Sequence, residues 1–172
     1  MIRKKNGFTL IELLISCVVL TLFLGAAMPS FSEFHHRLKM QRLATEMENV
    51  IRMARSEAVL RNKNMYLHLV GLDSSGVHSD WCILVSDKPI VSNCEDDVLY
   101  LVQSEDHRGV TVVQQQANDV IEFDRVNGHP QLDMMDEDGY QTVLSFYQKL
   151  EDKMVGKIHF LGRSKVCELS HC

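Results

Sequence analysis

The chain has 172 residues, of which 45% are hydrophobic and 24% charged, and its formal net charge is −5 at neutral pH. This length accommodates one anchoring segment and one small domain. The acidic balance argues against a broad affinity for nucleic acid, although it leaves room for a local basic patch.

A long apolar run opens the chain. Between Phe8 and Met28 the one charged residue is Glu12, and three basic residues at positions 3–5 precede the run. A run of this length can span a bilayer as a helix, and the basic flank predicts a cytoplasmic N-terminus with the rest of the chain outside the inner membrane. A carboxylate inside such a run is energetically costly, so Glu12 is a candidate functional residue.

Two other interpretations fit the same run. In a secretory signal peptide the small residues 25–27 (Gly-Ala-Ala) would supply the cleavage site, but a glutamate within the apolar region fits poorly and that region would be long. In a plain signal anchor Glu12 would be incidental. All three interpretations place most of the chain outside the inner membrane.

The six residues Gly7–Glu12, with the sequence GFTLIE, resemble the class III signal of type IV pilins and type II secretion pseudopilins. The resemblance implies that a prepilin peptidase cuts between Gly7 and Phe8 and methylates the new N-terminal Phe8. It also implies that Glu12 pairs with the free amine of Phe8 in a neighbouring subunit. The alternative is a partly neutral Glu12 in a monomeric anchor. Removal of residues 1–7 takes away three positive charges and changes the net charge from −5 to −8.

Beyond Met28 the pattern becomes amphipathic, and apolar residues at spacings of three and four predict one buried stripe. The stripe consists of Leu43, Met47, Val50, Ile51, Ala54 and Ala58. Pro29 is expected to kink the helix or loosen its hydrogen bonding without ending it, and the pair Glu48/Arg52 has the favourable order for an i, i+4 ion pair. We predict one helix from about Phe8 to Arg61, roughly 80 Å long at about 1.5 Å per residue.

From Met65 the hydrophobic period changes to two, which predicts strands separated by turn-rich segments. Seven strands are predicted, at residues 65–70, 81–85, 98–102, 110–113, 120–123, 140–147 and 156–160. No later helix is predicted. The expected fold class is therefore α+β, with one long N-terminal helix packed on an antiparallel β-sheet domain.

Four later segments resemble the GspH/FimT branch of pilin-like proteins. They are Arg55–Ala58, the strand with Trp81, Phe123–Gly128 and Gly162–Cys167. The branch contains minor pilins of type IV pili and the minor pseudopilin GspH of type II secretion, which are low-copy subunits thought to initiate or cap filament assembly. The resemblance implies a pilin-like fold for this chain.

The same resemblance implies an organisation and a set of partners. The expected segments are a leader (1–7), a transmembrane and filament-core helix (8–29), an amphipathic helix (30–64) and a periplasmic β-rich domain with a C-terminal tail (65–172). The expected partners are the prepilin peptidase, other minor and major pilins or pseudopilins, and the inner-membrane assembly platform. No cofactor is implied.

Four of the five cysteines fall in the exported part of the chain, where disulfides form. Four cysteines allow three connectivities. We favour Cys82–Cys94 and Cys167–Cys172, because both pairs close short loops, and we expect no partner for Cys17. Metal binding is the alternative, and His171 beside Cys172 is its one indication.

The tail contains Gly162-Arg163-Ser164-Lys165, which resembles the Gly-Arg-x-Arg tail that FimT-type minor pilins use for DNA. Lysine at the last position neutralises a phosphate but lacks the bidentate fork of arginine. Arg163, Lys165 and Lys157 are therefore candidate contacts to double-stranded DNA, with Lys149, Lys153 and His159 nearby in sequence. The alternative is a solvated edge, which the neighbouring acidic residues favour.

The acidic run Asp133–Asp138 before Gly139 places carboxylates as in a calcium loop, but the full loop spacing and its distal glutamate are missing. A solvated hairpin turn is the preferred interpretation. The chain contains no G-x-S-x-G, P-loop or H-E-x-x-H motif, so we predict no enzyme and no metal site.

The sequence thus predicts a minor pilin of a type IV pilus that helps to initiate or cap assembly. A minor pseudopilin of type II secretion is the first alternative. A monomeric membrane-anchored binding domain is the second.

Overall fold

The fold is described from a computed structural model that covers residues 9–72, 80–95, 98–148 and 153–172, apart from the side chains of residues 26–33 and 171. The chain divides between Leu38 and Lys39 into two compact units. The first unit contains the beginning of a 52-residue helix, α1, which extends from Leu10 to Arg61. The second contains the rest of α1 and all of the β structure.

In the first unit, α1 leaves its apolar side chains uncovered. Leu10, Leu22 and Phe23 are 83%, 70% and 73% exposed. In the part of the chain that the structure describes, no helix combines the length and the apolar character needed to cross a membrane. The predicted span at 8–29 also includes Phe8 and side chains beyond Gly25, which lie outside the described residues.

The helix ends where the sequence predicts, at Arg61, through a local backbone device. Asn62 adopts the left-handed conformation with φ of 52°. The N–H of Asn62 donates to the carbonyl of Val59 at 3.3 Å, and the N–H of Lys63 donates to that of Ala58 at 3.2 Å. This pair of bonds is a Schellman motif, which satisfies the last carbonyls of the helix and turns the chain toward the first strand.

In the described parts of the chain, eight strands form two antiparallel four-stranded sheets. The first sheet has the order β3-β2-β1-β5, and its strands are β1 (Met65–Val70), β2 (Cys82–Ser86), β3 (Tyr100–Gln103) and β5 (Val120–Phe123). The second has the order β4-β6-β7-β8, and its strands are β4 (Thr111–Gln114), β6 (Tyr140–Tyr147), β7 (Met154–His159) and β8 (Ser164–Glu168).

The prediction of seven strands and no later helix is wrong in two respects. An eighth strand, β8, pairs with β7 over the segment that we interpreted as a tail, with Lys165 opposite Lys157. Within the described residues, two short 3₁₀ helices also follow α1, at Ser104–His107 and Leu169–His171. The side chains of β8 are half-buried without alternation, so its sequence lacks the period of two that marks a strand.

The core lies where α1 packs on the sheets. All six residues of the predicted stripe are buried, which confirms that interpretation. Leu43, Met47 and Ala54 pack in one cluster with Phe123 of the first sheet and Phe146 of the second. Burial of such side chains contributes about 25 cal/mol per Å² of apolar surface, so this cluster is the main source of stability in the second unit.

Candidate functional site

The start of α1 carries the candidate assembly residue. The backbone N–H of Glu12 donates to the hydroxyl of Thr9 at 3.3 Å and to its carbonyl at 3.1 Å. Thr9 therefore caps the helix, with the carboxylate of Glu12 in the first turn, where a negative charge is favourable. Glu12 is exposed, and the hydroxyl of Ser16 donates to its backbone carbonyl at 2.7 Å. Gly7 and Phe8 lie outside the described residues.

The T-x-x-E spacing was missed as a capping signal in the sequence. A threonine followed three residues later by a glutamate is the signature of a capping box. In the structure the hydroxyl of Thr9 accepts from the backbone N–H of Glu12, so the observed cap depends on Thr9. An ion pair in assembly would depend instead on the negative charge of the Glu12 side chain.

Three of the segments that resemble the GspH/FimT branch meet at Arg55. A Cβ on Gly128 would lie 2.6 Å from Arg55 Cγ and 2.9 Å from its carbonyl oxygen. A Cβ on Gly162 would lie 3.0 Å from Arg55 Cδ and 3.0 Å from the Gly128 carbonyl oxygen. Both glycines have positive φ, of 65° and 76°. The stem of Arg55 is therefore enclosed by two turns that admit no side chain.

The turn that presents Gly128 is held by one carboxylate. Asp124 accepts hydrogen bonds from the backbone N–H groups of Val126 at 2.7 Å and His129 at 3.1 Å. A third comes from Asn127 at 3.2 Å. These backbone donors, with that of Val126 foremost, hold the pKa of Asp124 below its usual value. The Asn127-Gly128 turn therefore places a glycine against Arg55 of α1.

The three tail cations have different surroundings. Arg163 is exposed in the turn between β7 and β8. Lys165 lies over the ring of Tyr140, with Nζ 4.7 Å from the ring centroid. Lys157 Nζ is bound to Asp136 Oδ2 at 3.0 Å, and its side chain is only 18% exposed. The structure thus places Lys157 and Lys165 opposite each other, but Lys157 already has a carboxylate partner.

The acidic run forms a turn that is held by the carboxylate of Asp136. Asp136 Oδ1 accepts from the backbone N–H of Tyr140 at 2.8 Å, and its second oxygen binds Lys157. These two hydrogen bonds, that of Tyr140 first, lower the pKa of Asp136. Among the residues that the structure describes, no group of three or more His, Cys, Asp or Glu side chains is arranged to hold a metal ion.

Two disulfides join the four cysteines of the second unit. Cys82 pairs with Cys94 and Cys167 pairs with Cys172. The first joins the start of β2 to the segment that follows this strand, across a separation of 12 residues. The second closes a five-residue separation at the end of β8. Cys17 is a free thiol on the exposed part of α1.

A partly buried polar network joins α1 to the segment after β3, and sequence reasoning missed it. Glu46 Oε2 is 2.7 Å from Nε2 of His107, whose side chain is buried, and Glu46 Oε1 accepts from Arg42 Nε at 2.8 Å. The ring of His107 stacks on Trp81 at a centroid distance of 6.3 Å. Burial acts to raise the pKa of Glu46, but the hydrogen bonds from Arg42 and His107 outweigh it and lower that pKa.

A second buried histidine lies in β1. His68 is 2% exposed, and its Nε2 is 2.9 Å from the carbonyl oxygen of Lys88, so this nitrogen carries the proton. Burial lowers the pKa of His68, and the bond to Lys88 only partly opposes that shift. His68 is therefore favoured in its neutral form in the folded protein.

Comparison with known proteins yields two family matches. The profile of the family described as type II transport protein GspH matches residues 43–145, which is more than half of the chain. The profile described as the prokaryotic N-terminal methylation motif matches residues 2–28. The two matches do not overlap. No curated protein matches the chain significantly.

Two crystal structures of the type IV minor pilin FimU from Pseudomonas aeruginosa strain PAO1 are similar to this chain. The structure in space group P21 has a TM-score of 0.55 and 20% identity, and it covers 80% of this chain and 94% of FimU. The structure in space group P65 has a TM-score of 0.52 and 20% identity, and it covers 76% of this chain and 94% of FimU. At this identity the likeness shows a shared fold.

Proposed function

The chain belongs to the GspH family, and from that premise we propose that it is a membrane-anchored minor pilin that is built into a filament. The observation that carries the proposal is the N-terminal methylation motif at residues 2–28, of which residues 10–28 form the first part of α1. Apolar side chains on the first part of α1 are exposed in the isolated chain, and such a surface is stable only when lipid or protein covers it.

In the proposed pathway a prepilin peptidase removes residues 1–7 and methylates Phe8. The apolar part of α1 first holds the subunit in the inner membrane, with the second unit in the periplasm, and then enters the filament core. There Glu12 meets the free amine of Phe8 of a neighbour, because a carboxylate in an apolar core needs a cationic partner. Other pilins and the assembly platform are the proposed partners.

The proposal is tested by the mature N-terminus and by the filament fraction. Gly7→Ala should block cleavage and leave the chain in the membrane fraction, and Gly25→Ala is the control, because a Cβ at position 25 would meet no atom within 4 Å. Mass spectrometry of the wild-type chain should detect N-methylated Phe8. An intact leader in the wild type, together with absence from sheared filaments, would refute the proposal.

We assign the filament to a type IV pilus, where the subunit initiates or caps assembly. The supporting feature is the Gly162–Cys167 segment, which resembles the tail of FimT-type minor pilins, and FimU, whose fold is shared, is itself a type IV minor pilin. The alternative is a minor pseudopilin of type II secretion, which the family description favours. Deletion separates the two, because a pilus subunit is needed for piliation whereas a pseudopilin is needed for exoprotein secretion.

A narrower proposal concerns double-stranded DNA, which we infer is bound weakly and without sequence preference by the turn between β7 and β8. Arg163 is exposed there, and Lys165 adds a second positive charge. Lys157 supports this interface less, because Asp136 already neutralises it. The affinity should fall steeply with salt. Unchanged affinity in the double variant Arg163→Gln/Lys165→Gln would exclude this role.

A further inference from the structure

A cavity with both polar and apolar lining residues lies on the face of the second sheet that points away from the core, and none of the roles above uses it. Its volume is about 320 Å³. Its lining includes Thr142 and Ser145 of β6 and Lys153 and Lys157 at β7. Because Leu144 and Phe146 belong to the core, the alternation of a strand turns Ser145 to the opposite side.

The cavity offers hydrogen-bond donors that are fixed in place. Ser145 is only 1% exposed, and its hydroxyl oxygen accepts a hydrogen bond from Gln115 Nε2 at 3.0 Å. A hydroxyl that already accepts in this way still has its own proton to donate. Thr142 adds a second hydroxyl, because strand pairing places it directly opposite Lys157.

Two lysine side chains line the cavity, although the whole chain is acidic. Lys153 and Lys157 stand about 13 Å apart along the same strand face, at roughly 3.3 Å per residue, so both flexible side chains can reach one group between them. None of the described side chains that line the cavity is acidic. Asp136, which is not part of the lining, binds Lys157.

We propose that this cavity binds a phosphate group. Lys153 supplies positive charge, Lys157 adds to it when its side chain turns from Asp136 to the anion, and the hydroxyls of Ser145 and Thr142 donate hydrogen bonds to the oxyanion. The phosphate belongs either to a free phosphate ester or to a nucleic-acid backbone, which present the same chemistry. The proposal does not depend on the role of the chain in a filament.

Titration of the full-length chain with inorganic phosphate tests the site. The chain is held in a non-ionic detergent at low ionic strength, and binding is followed by ³¹P line broadening. We expect saturable binding that Lys153→Gln weakens about tenfold, as for a lost hydrogen bond to a charged group. Lys63→Gln is the control, since it removes the same positive charge at a lysine that does not line the cavity.

Asp136→Asn is the decisive variant, because it should strengthen binding. Asparagine keeps an oxygen for the Tyr140 N–H and removes the charge that competes for Lys157. We expect a several-fold gain in phosphate affinity. Unchanged or weaker binding in this variant, or no saturable binding in either chain, would overturn the proposal.

Competition identifies the source of the phosphate. If a short double-stranded oligonucleotide displaces inorganic phosphate in a manner that depends on Lys153, the site serves a nucleic-acid backbone. If a mononucleotide displaces it and the duplex does not, the site serves a free phosphate ester. Both outcomes support phosphate recognition, and failure of both competitors to displace it overturns the assignment to an organic phosphate.

Discussion

A side chain at Gly162 would begin 3.0 Å from Cδ of Arg55, so the turn between β7 and β8 rests directly on the stem of a helix residue. Gly128 approaches the same arginine from the turn after β5. Three segments that are far apart in the sequence thus interlock in the second unit. These close contacts are possible because Gly128 and Gly162 have no side chain.

Gly128→Ala should lower the free energy of unfolding by about 2–4 kcal/mol. It combines a left-handed conformation with an overpacked contact, and each costs about 1–2 kcal/mol. Gly109→Ala is the matched control, because Gly109 also has a positive φ, of 85°, but a Cβ there would meet only Gln148 Nε2 at 3.6 Å. Urea unfolding measures both. Equal losses in the two variants would show that Arg55 exerts no steric restriction on Gly128.

Glu46→Gln should destabilise the protein by about 1–2 kcal/mol at pH 7, because it removes charge-assisted hydrogen bonds to Arg42 and to buried His107. The pKa of Glu46 is lower in the folded state than its ordinary value of 4.5. Its contribution to stability is therefore present above pH 4.5 and is lost as the pH falls through the folded-state pKa.

Urea unfolding from pH 7 to pH 3.5 tests this sign, and the difference between wild type and variant should shrink at the acidic end. Glu57→Gln is the control, because Glu57 also pairs with an arginine four residues away, Arg61, on α1. Such a helix pair contributes only about 0.3–0.5 kcal/mol. A Glu46 effect that is constant across the pH range would contradict the assignment.

His68 should make the protein less stable as the pH falls below 6.5. Its folded-state pKa lies below that ordinary value, so the unfolded chain binds the proton first and stability is lost as the pH falls toward the folded-state pKa. In His68→Gln, where the amide can still donate to the carbonyl of Lys88, stability between pH 7 and pH 5 should vary less. If the free energy of unfolding changed equally with pH in the wild type and the variant, His68 would not be the cause of the pH dependence.

Cys94→Ala should lower the free energy of unfolding by about 3 kcal/mol under oxidising conditions, from the entropy of closing a loop of this length. The variant leaves fully buried Cys82 in the core, so it isolates the cross-link from core packing. Cys17→Ser is the control, since Cys17 is exposed and free. A reductant should reduce the difference between wild type and variant.

Substitutions at Thr9 and Glu12 should separate capping from assembly. Glu12→Gln keeps oxygen and removes charge, and we expect normal processing but loss from the filament fraction. Thr9→Val removes the hydroxyl that accepts from Glu12 N–H, and we expect a frayed helix start, at a cost of about 1 kcal/mol, with filament incorporation retained. Normal incorporation of the Glu12→Gln variant into filaments would show that assembly does not need the negative charge of Glu12.

The helix could be predicted from sequence because its signals are local. The stripe from Leu43 to Ala58 repeats at helical spacing, and Asn62 supplies the left-handed residue that ends the helix. The pairing of strands could not be predicted, because a period of two specifies a buried face and not a neighbour. Strand β8 escaped notice because its half-buried residues do not alternate.

The residues of the candidate site could be predicted from the sequence, but their ion-pair and hydrogen-bond partners could not. Sequence treats Lys157 as an available cation, yet antiparallel pairing brings it to Asp136, which is 21 residues earlier. Although Glu48/Arg52 has the favourable order for an ion pair, no such pair forms among the described residues. Glu48 instead accepts a hydrogen bond from the backbone N–H of Val166 at 3.2 Å, a contact across 118 residues that no helical spacing can indicate.

The hydrogen bond between Glu48 and Val166 disfavours edge-to-edge aggregation through β8. Strand β8 is the terminal strand of its sheet, and an uncovered edge of this kind invites the strand of another molecule to extend it. The carboxylate of Glu48 already accepts from the backbone N–H of Val166, which an added strand would need as a donor. Any added strand must first break a charge-assisted bond and bring its own carbonyl beside a negative charge, so growth through this edge is disfavoured.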